Sequence, residues 1–214
     1  MPRAPLHVGI IPDGNRRWAR RHGVSLDEAY ERGYETLRTI IDHLYSWGSR
    51  YVTVYVLSRD NALRRSKLEL SLVFRLVRRG LKDLMSDEAL ERRDVRVEVL
   101  GDTSVLPADV ADLARRLEEE TSHRRGGLLV LLIGYSSLWE LALALKGIEP
   151  PSTRLPPVDL VIRTGRWRRL SDFVPFAARY AELYFTETLW PDFTIEELER
   201  ALDWFSSVKR NFGA

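Results

Sequence analysis

The 214-residue chain contains no cysteine, which excludes disulfides, a thiol nucleophile and cysteine-ligated metals. It also lacks long apolar runs: stretches such as residues 128–133 are far too short to span a bilayer, and the N-terminus has no signal-peptide pattern. There are only four histidines, and they lack the spacing of a zinc site. A P-loop is absent too. We therefore expect a cytoplasmic protein that touches a membrane only peripherally.

The charge balance gives little support to a nucleic-acid partner. The 33 Lys and Arg residues almost match the 31 Asp and Glu residues, which leaves a net charge of +2. Basic and acidic residues are interleaved, and no nucleic-acid motif occurs. Most cations are arginines, which suit bidentate binding of phosphate. With 44% hydrophobic and 30% charged residues, the composition predicts one globular domain over residues 1–214.

Strand and helix patterns alternate along the whole chain. The predicted strands are 8–11, 51–57, 95–100, 128–133, 159–162 and 183–185. The predicted helices are 17–22, 25–47, 66–85, 107–121, 136–146, 172–179 and 194–209. This alternation predicts an α/β fold, with a mainly parallel sheet of about six strands flanked by helices. The apolar face of the helix over 66–85 fits either a core or the lining of an apolar channel.

The first predicted strand ends in a polar turn. Pro12 and Gly14 stop the apolar run 8–11 around one carboxylate, Asp13, so the strand should present Asp13 at its C-terminal tip. Ligands of open α/β sheets bind at that edge. An aspartate can hold a hard cation there, while arginines and backbone N–H groups hold phosphate. The polar neighbours are Gly14, Asn15, Arg16 and Arg17. Taken alone, the stretch also fits a solvated turn before a basic helix.

A second set of motifs lies near the other end of the chain. It reads Asp-Leu-Val-Ile-Arg-Thr-Gly at 159–165, Arg-Leu-Ser-Asp-Phe at 169–173, Tyr-Ala-Glu-Leu-Tyr-Phe-Thr at 180–186 and Leu-Trp-Pro-Asp-Phe at 189–193. Together with the turn at Asp13, these motifs resemble the cis-prenyltransferase family, of the undecaprenyl diphosphate synthase type. The resemblance runs in order from His7 to about Phe212.

The resemblance implies an activity. Members of this family condense isopentenyl diphosphate repeatedly with an allylic prenyl diphosphate, with Mg²⁺ as cofactor, and form cis double bonds. It also implies an apolar tunnel for the prenyl chain and a homodimer. The sequence has no Asp-Asp-x-x-Asp motif, which argues against a trans-prenyl synthase.

The resemblance also implies roles for single residues. It makes Asp13 and Asn15 catalytic, and Asp13 and Glu182 metal ligands. The substrate contacts are Gly14, Arg16, Arg17, Trp18, Arg59, Asn61, Arg64, Arg163, Arg169 and Ser171. Arg163, Arg169 and Ser171 would hold the diphosphate of the extending unit. Trp18 fits a packing role as well, and we expect His7 to be structural.

Several positions depart from the family pattern. Leu26, Tyr30, Leu138, Trp167 and Asn211 stand where arginine, histidine, arginine, an acidic residue and arginine are usual. Three interpretations stay open: an active homodimer, a divergent subunit that binds isoprenoid diphosphates or supports an active partner chain, and an arginine-rich nucleic-acid-binding protein. We favour the active homodimer, in which the cations around Trp167 compensate for the tail arginine replaced by Asn211.

Overall fold

The computed structural model describes residues 4–210 as a single-domain α/β fold. The strands are β1 (His7–Ile11), β2 (Tyr51–Ser58), β3 (Val95–Leu100), β4 (Gly127–Tyr135), β5 (Leu160–Arg163) and β6 (Glu182–Phe185). The α-helices are α1 (Asn15–His22), α2 (Leu26–Trp47), α3 (Arg59–Arg64), α4 (Lys67–Met85), α5 (Glu88–Arg92), α6 (Ala108–Thr121), α7 (Ser137–Ala144) and α8 (Ile195–Ser207). Short 3₁₀ helices cover Thr103–Val105, Pro151–Arg154 and Trp190–Asp192.

The six strands form one parallel sheet in the order β3-β4-β2-β1-β5-β6. β1 and β4 are buried along their whole length, because helices and loops cover both faces of the sheet. The chain leaves β1 toward β2 on one side, and leaves β5 toward β6 on the other. The predicted α/β sheet is confirmed, and its switch point, where such sheets bind ligands, lies between β1 and β5.

Local capping signals explain where three of the helices begin. The side chains of Ser25, Ser66 and Thr194 accept hydrogen bonds from the backbone N–H three residues on. Gly23 and Gly48 then end α1 and α2 in the left-handed conformation. These boundaries agree with those predicted from the sequence.

Three helical assignments differ from the prediction. The sequence reading missed the short helices α3 and α5, and the helix predicted over 172–179 is wrong, because this segment is a series of turns. Ser171 and Asp172 have positive φ values of 50° and 72°, which no right-handed helix admits. The Asp172 carboxylate accepts hydrogen bonds from the N–H and hydroxyl of Ser137, and this tertiary contact fixes the turn.

The two faces of the sheet carry different layers. One apolar cluster joins the sheet to α2, α4, α6 and α8. On the other face, Tyr55, Tyr135 and Phe173 form the centre of a second cluster. A Cβ at Gly9 of β1 would lie 2.6 Å from the Phe173 ring, so this layer requires a glycine in the middle of the first strand. Over residues 4–210, no helix is long and apolar enough to cross a membrane.

His7 fixes the start of β1 through two buried hydrogen bonds. Its Nδ1 lies 2.8 Å from the carbonyl oxygen of Pro156, so this nitrogen carries the proton. Its Nε2 then accepts from the Thr53 hydroxyl at 2.8 Å, which requires a neutral ring. Burial lowers the pKa of His7 below its ordinary value of 6.5. His7 is therefore a structural residue, as expected.

This geometry predicts a pH effect on stability. The unfolded state takes up a proton near pH 6.5, whereas the folded state does so only at lower pH. The stabilisation by neutral His7 is thus complete above pH 6.5 and is lost as the pH falls toward the folded-state pKa. In urea titrations between about pH 7 and pH 5, we expect the free energy of unfolding to fall more steeply for the parent than for His7→Gln. Parallel curves would contradict the assignment.

Candidate active site

The centre of the site is the Asp13 carboxylate, which lies between two guanidinium groups. Oδ1 accepts from Arg17 Nη2 at 2.9 Å, and Oδ2 accepts from Arg163 Nη2 at 3.0 Å. Arg17 belongs to α1, whereas Arg163 is the last residue of β5, the strand beside β1. The structure therefore joins the two motifs that lie 150 residues apart in the sequence.

The backbone around Asp13 is fixed by the motif after β5. The Thr164 hydroxyl donates to the Asp13 carbonyl at 2.8 Å, and the Thr164 Oγ1 accepts from the Asp13 N–H at 3.0 Å. Gly165 has a φ of +81°, and a Cβ there would lie 2.6 Å from both the Asp13 carbonyl oxygen and Arg17 Nη2. Arg17 Nη1 donates to the Gly165 carbonyl at 2.5 Å. The Thr-Gly pair thus sets the position of both Asp13 and Arg17.

Asn15 is placed by a close approach to α2. Its Oδ1 is buried without a hydrogen-bond partner in residues 4–210. A Cβ at Gly33 would lie 2.3 Å from this oxygen. The indole N–H of Trp190 donates to the Gly33 carbonyl at 2.8 Å, and this fixes the helix at that point. Trp190 is almost completely buried, so it is a packing residue. Gly33 is therefore a site residue to which sequence reasoning gave no role.

Arg163 also anchors the loop that follows it. Its Nη1 donates to the Arg169 carbonyl at 2.5 Å and to the Ser171 hydroxyl at 2.7 Å. The Arg169 guanidinium lies over the Trp167 ring, 4.8 Å from its centre. The side chain of Arg163 is only 5% exposed, and its Nε has no partner in the described chain. The predicted set of Arg163, Arg169 and Ser171 therefore does come together, next to Asp13.

A cavity of about 1480 Å³ opens at these residues. Asp13, Asn15, Arg17 and Arg163 lie at its mouth, and it continues between α2, α4 and one face of the sheet. Its deeper wall is largely apolar and includes Ile41, Val54, Val73, Leu76, Val77, Leu81, Leu90 and Ile133. The cavity thus has a charged part around Asp13 and a largely apolar part, and charged residues such as Arg38, Asp42 and Asp83 line it as well, on α2 and α4. The use of this space as a prenyl tunnel stays a proposal.

Tyr30 and Arg65, which line the same cavity, form a bridge between helices with the neighbouring Glu69. The Tyr30 hydroxyl donates to Glu69 Oε1 at 2.7 Å and accepts from Arg65 Nη1 at 3.0 Å. Burial raises the pKa of Tyr30 to about 12, so the hydroxyl stays protonated at neutral pH. Sequence reasoning recorded Tyr30 only as a departure and missed Arg65 and Glu69. A carboxylate three residues after a capping serine signals a helix start and gives no hint of a site.

Three residues predicted to contact substrate lie away from the cavity. The Trp18 indole donates to Asp192 at 2.7 Å and packs against His22. Trp18 therefore has the packing role rather than a place in the cavity. Arg59 pairs with Asp102 at 2.8 Å. Arg64 is 81% exposed and faces Asp60 across 3.8 Å. Gly14, Arg16 and Asn61 do line the cavity, as do Tyr30, Leu138 and Trp167 among the departures.

Glu182 lies at the opposite end of the sheet from Asp13. It pairs with Leu160 at the start of β5, whereas Asp13 lies beyond the pair of Ile11 with Arg163 at the end of β5. At about 3.3 Å per residue, this offset is about 10 Å or more. The Glu182 carboxylate oxygen Oε1 lies 3.9 Å from Arg210 Nε. Within one chain, Glu182 therefore does not lie near Asp13, at the metal site predicted for it. Asn211 lies outside the described residues.

The donor set fits Mg²⁺ held jointly with a substrate. Residues 4–210 contain no group of three or more acidic, histidine or cysteine side chains that would form a complete metal site. Mg²⁺, however, commonly uses one or two carboxylates together with phosphate oxygens and waters. Asp13 supplies one carboxylate at the cavity mouth, and Asn15 supplies an amide oxygen that is free of protein partners. Asp13 is one of the two predicted metal ligands, Asn15 is predicted to be catalytic, and the use of Mg²⁺ stays a prediction.

Comparison with known proteins identifies the class as the cis-prenyltransferases. The chain belongs to the undecaprenyl diphosphate synthase family, whose sequence profile, described as putative undecaprenyl diphosphate synthase, matches residues 11–213. It is 39% identical to a geranylgeranyl-diphosphate-specific tritrans,polycis-undecaprenyl-diphosphate synthase from Aeropyrum pernix, over 98% of both chains. It is 34% identical to a farnesyl-diphosphate-specific ditrans,polycis-undecaprenyl-diphosphate synthase from Acinetobacter baylyi, over 98% of this chain and 91% of that one.

Solved structures agree with this family. Lavandulyl diphosphate synthase from Lavandula x intermedia, crystallised with dimethylallyl diphosphate, superimposes with a TM-score of 0.86 at 29% identity over 99% of both chains. A probable undecaprenyl diphosphate synthase from Campylobacter jejuni superimposes with a TM-score of 0.75 at 26% identity over the whole of both chains. The resemblance inferred from the motifs is confirmed, and the protein is a prenyl-transferring enzyme.

The contact between Gly33 and Asn15 yields a prediction. Gly33→Ala should push the Asn15 side chain aside, because the new Cβ would lie 2.3 Å from its Oδ1. We expect prenyl transfer to fall about a hundredfold, which is a common cost of misplacing a catalytic group. The melting temperature should change little, because the preference of alanine for the helix, up to about 1 kcal/mol, offsets the tight contact of the new Cβ with Trp190 Cδ1 at 3.1 Å.

A double-mutant cycle separates this effect from general damage. If Gly33→Ala acts through Asn15, the variant that combines it with Asn15→Ala should be no slower than Asn15→Ala alone. Additive losses in turnover would show that the glycine serves another purpose.

Proposed function

We propose that the protein elongates prenyl diphosphates. It would condense isopentenyl diphosphate with an allylic prenyl diphosphate to give a longer cis-polyprenyl diphosphate, and Mg²⁺ would assist the reaction. The observation that carries this proposal is the lining of the cavity. Charged residues around Asp13 lie next to a part of the cavity that is lined largely by apolar side chains. A prenyl diphosphate has the same two parts, a polyanionic head and a hydrocarbon chain.

The arginines at the mouth suit the first step, in which the allylic carbon loses its diphosphate. Negative charge grows on the leaving oxygens, and fixed cationic donors stabilise it. A guanidinium has five N–H donors, and Arg17 uses two of them on Asp13 and Gly165. The others remain for phosphate. Gly14 allows the backbone to approach closely, since its φ of +134° is open only to glycine.

Arg163, Arg169 and Ser171 would hold the diphosphate of isopentenyl diphosphate, on the other side of Asp13. Its double bond would attack the allylic carbon, a proton would leave the isopentenyl unit, and the new carbon–carbon bond would replace the broken carbon–oxygen bond. Both Asp13 oxygens already accept from guanidinium groups, so the released diphosphate is a better proton acceptor than Asp13. Mg²⁺, when bound by Asp13 with support from Asn15, would neutralise charge on the leaving group.

The relatives bear on the choice of primer. Geranylgeranyl-diphosphate-specific synthases from Aeropyrum, Sulfurisphaera, Sulfolobus, Thermoplasma and Pyrobaculum share 32% to 39% identity with this chain, and those from the first three share at least 35%. Farnesyl-specific synthases from Acinetobacter and Buchnera share 32% to 34%. We therefore propose geranylgeranyl diphosphate as the preferred primer.

The proposal is tested by incubation with labelled isopentenyl diphosphate, Mg²⁺ and primers that increase in length from dimethylallyl to geranylgeranyl diphosphate. We expect extension of the longer primers, loss of activity with EDTA, and a fall in kcat of several orders of magnitude for Asp13→Ala, because its carboxylate acts where charge develops. The fold should survive, since Asp13 lies at a loop tip. Turnover by Asp13→Ala within about tenfold of the parent would reject its role. No product with any primer would indicate a binding subunit.

The two diphosphate sites should separate in kinetics. Arg17→Ala should raise the KM for the primer, whereas Arg169→Ala should raise the KM for isopentenyl diphosphate, each by about tenfold to a thousandfold for a lost charge-assisted contact. Arg163→Ala should also lower kcat, because Arg163 holds Asp13 as well as the loop at Ser171. Equal effects of Arg17→Ala and Arg169→Ala on both substrates would mean that the sites are not distinct.

An apolar patch supports the proposed two-fold dimer. Leu138, Leu141 and Leu145 lie on one face of α7 and the turn after it, and all three are exposed. Phe176 and Leu183 are also exposed, and their segment covers the same face of the sheet as α7. β6 is an edge strand of the sheet. A second copy of the chain would bury this patch, and the resemblance implies a dimer through the segment 165–193.

The molar mass in solution tests the dimer. We expect twice the 24.8 kDa of one chain by light scattering, and a monomer when Leu141→Glu and Leu145→Glu are combined. Leu68→Glu is the matched control, because Leu68 is similarly exposed on α4 but lies outside the patch. A parent protein that is monomeric at all working concentrations would refute the dimer.

Asn211→Arg should add little activity if the cations around Trp167 compensate for the missing tail arginine.

A further inference from the structure

The loop after β5 contains a tryptophan to which the proposed function gives no role. Trp167 is 47% exposed, and it lines the cavity together with Arg169. Arg166 and Arg168, its neighbours in the sequence, are exposed and lie outside the cavity. The loop therefore brings one indole and one guanidinium to the site and leaves the other two cations in solvent.

The Trp167 indole contacts the Arg169 guanidinium. The guanidinium carbon lies 4.8 Å from the ring centre, and the attraction between a cation and an aromatic face extends to about 6 Å. Within residues 4–210, this guanidinium forms no ion pair and no hydrogen bond, so the ring is the group that restrains it. Tryptophan is the aromatic residue that attracts a cation most strongly.

The backbone of Arg169 is fixed independently of its side chain. Arg163 Nη1 donates to the Arg169 carbonyl at 2.5 Å, and Arg163 Nη2 donates to Asp13 Oδ2 at 3.0 Å. Arg163 is buried, which strengthens these hydrogen bonds because water competes less for them. One end of the Arg169 side chain is thus held by the polar network at Asp13, and the other end is held by the Trp167 ring.

A stacked guanidinium keeps its capacity for hydrogen bonds. An aromatic ring binds the face of the guanidinium plane, whereas the five N–H donors point outward along its edge. An acidic residue, which is usual in the family at the position of Trp167, would instead pair with the edge and neutralise the charge. Asp13 is already engaged, because its two oxygens accept from Arg17 and Arg163. The Arg169 cation is therefore oriented, and its five donors remain available to phosphate.

Orientation before binding matters for a side chain as long as that of arginine. Such a side chain has many rotamers, and fixing them when a ligand binds lowers the affinity. The stack on Trp167 restricts the Arg169 side chain in the free protein, so less freedom is lost on binding. An indole has only two side-chain torsions, so it can hold the cation at a small entropic cost of its own.

We propose that Trp167 is a positioning residue, whose indole stacks on the Arg169 guanidinium and orients it for the diphosphate of isopentenyl diphosphate. This inference rests on the proposed function and deepens it. The indole acts through Arg169, and not by contact with substrate hydrocarbon or with a second copy of the chain. A change at Trp167 should therefore affect one diphosphate site and leave the primer site unchanged.

Calorimetric titration tests the inference without turnover. The protein is first saturated with geranylgeranyl diphosphate. It is then titrated with inorganic pyrophosphate or with isopentyl diphosphate, which lacks the double bond and cannot condense. We expect Trp167→Leu to weaken both ligands by the same factor, about threefold to thirtyfold, which is the range for a lost cation–π contact. Trp167→Phe should lose less affinity than Trp167→Leu, because a phenyl ring still offers an aromatic face.

A change at the cation shows whether the indole acts through it. In an Arg169→Gln background, Trp167→Leu should weaken neither ligand further. In steady-state assays, Trp167→Leu should raise the KM for isopentenyl diphosphate and leave the KM for the primer unchanged, which a general loss of fold would not do.

The chain offers a matched control in Trp204→Leu. Trp204 is a tryptophan of α8 that is 37% exposed and lies outside the cavity, so its replacement should change neither KM. Melting curves show whether Trp167→Leu folds. If it does not, Trp167→Phe is compared with the parent in the same titrations.

Five results would overturn the inference. Unchanged affinity in Trp167→Leu, or a parent that binds neither ligand, would remove its basis. A loss confined to isopentyl diphosphate would mean that the indole contacts hydrocarbon. An equal loss in the Arg169→Gln background would show that the indole does not act through the cation. A molar mass that falls by half in Trp167→Leu would assign the indole to the dimer interface.

Failure of the proposed function would look different. The parent would bind pyrophosphate, and Trp167→Leu would bind it less tightly, yet the parent would extend no primer.

Discussion

The double ion pair at Asp13 is the constraint on which the site depends. One carboxylate is shared by Arg17 and Arg163, and these arginines in turn hold the loops that contain Gly165 and Ser171. Because each guanidinium has several donors, it can bind protein and phosphate at once. The hydrogen bonds of the two arginines therefore join the turn after β1 to the loop after β5. In the proposed function, donors that are already in position would avoid reorganisation at the moment of charge separation.

The order of the strands makes this arrangement possible. β1 lies between β2 and β5, and the chain leaves β1 and β5 toward opposite edges of the sheet. The gap between the two departing loops is where Asp13 and Arg163 meet. Behind it, the apolar face of the sheet and α4 form the long wall of the cavity. The charged residues around Asp13 thus lie next to the apolar part of the cavity, because the loops after β1 and β5 diverge above the apolar face of the sheet.

Features set by local sequence could be predicted, whereas those set by register or rotation could not. The strands, the capping serines and the tip position of Asp13 follow from short patterns. Arg65 rather than Arg64 enters the cavity because tertiary packing sets the rotation of α3. Glu182 lies far from Asp13 because the pairing of β6 with β5 places it beside Leu160, at the N-terminal end of β5. The turn at Asp172 depends on Ser137, a partner 35 residues away.

The span of the chain between Asp13 and Thr164 has a consequence for how the protein matures. The hydrogen bonds that shape the Asp13 turn join residues about 150 positions apart, and β1 is the neighbour of a strand made much later. Contacts of such long sequence separation form slowly, since a large loop must close before they stabilise anything. During synthesis, β1 therefore cannot acquire its second neighbour until β5, about 150 residues further along the chain, has been made. The turn that holds the Asp13 carboxylate takes its final form only after four of the six strands are already in place to pair.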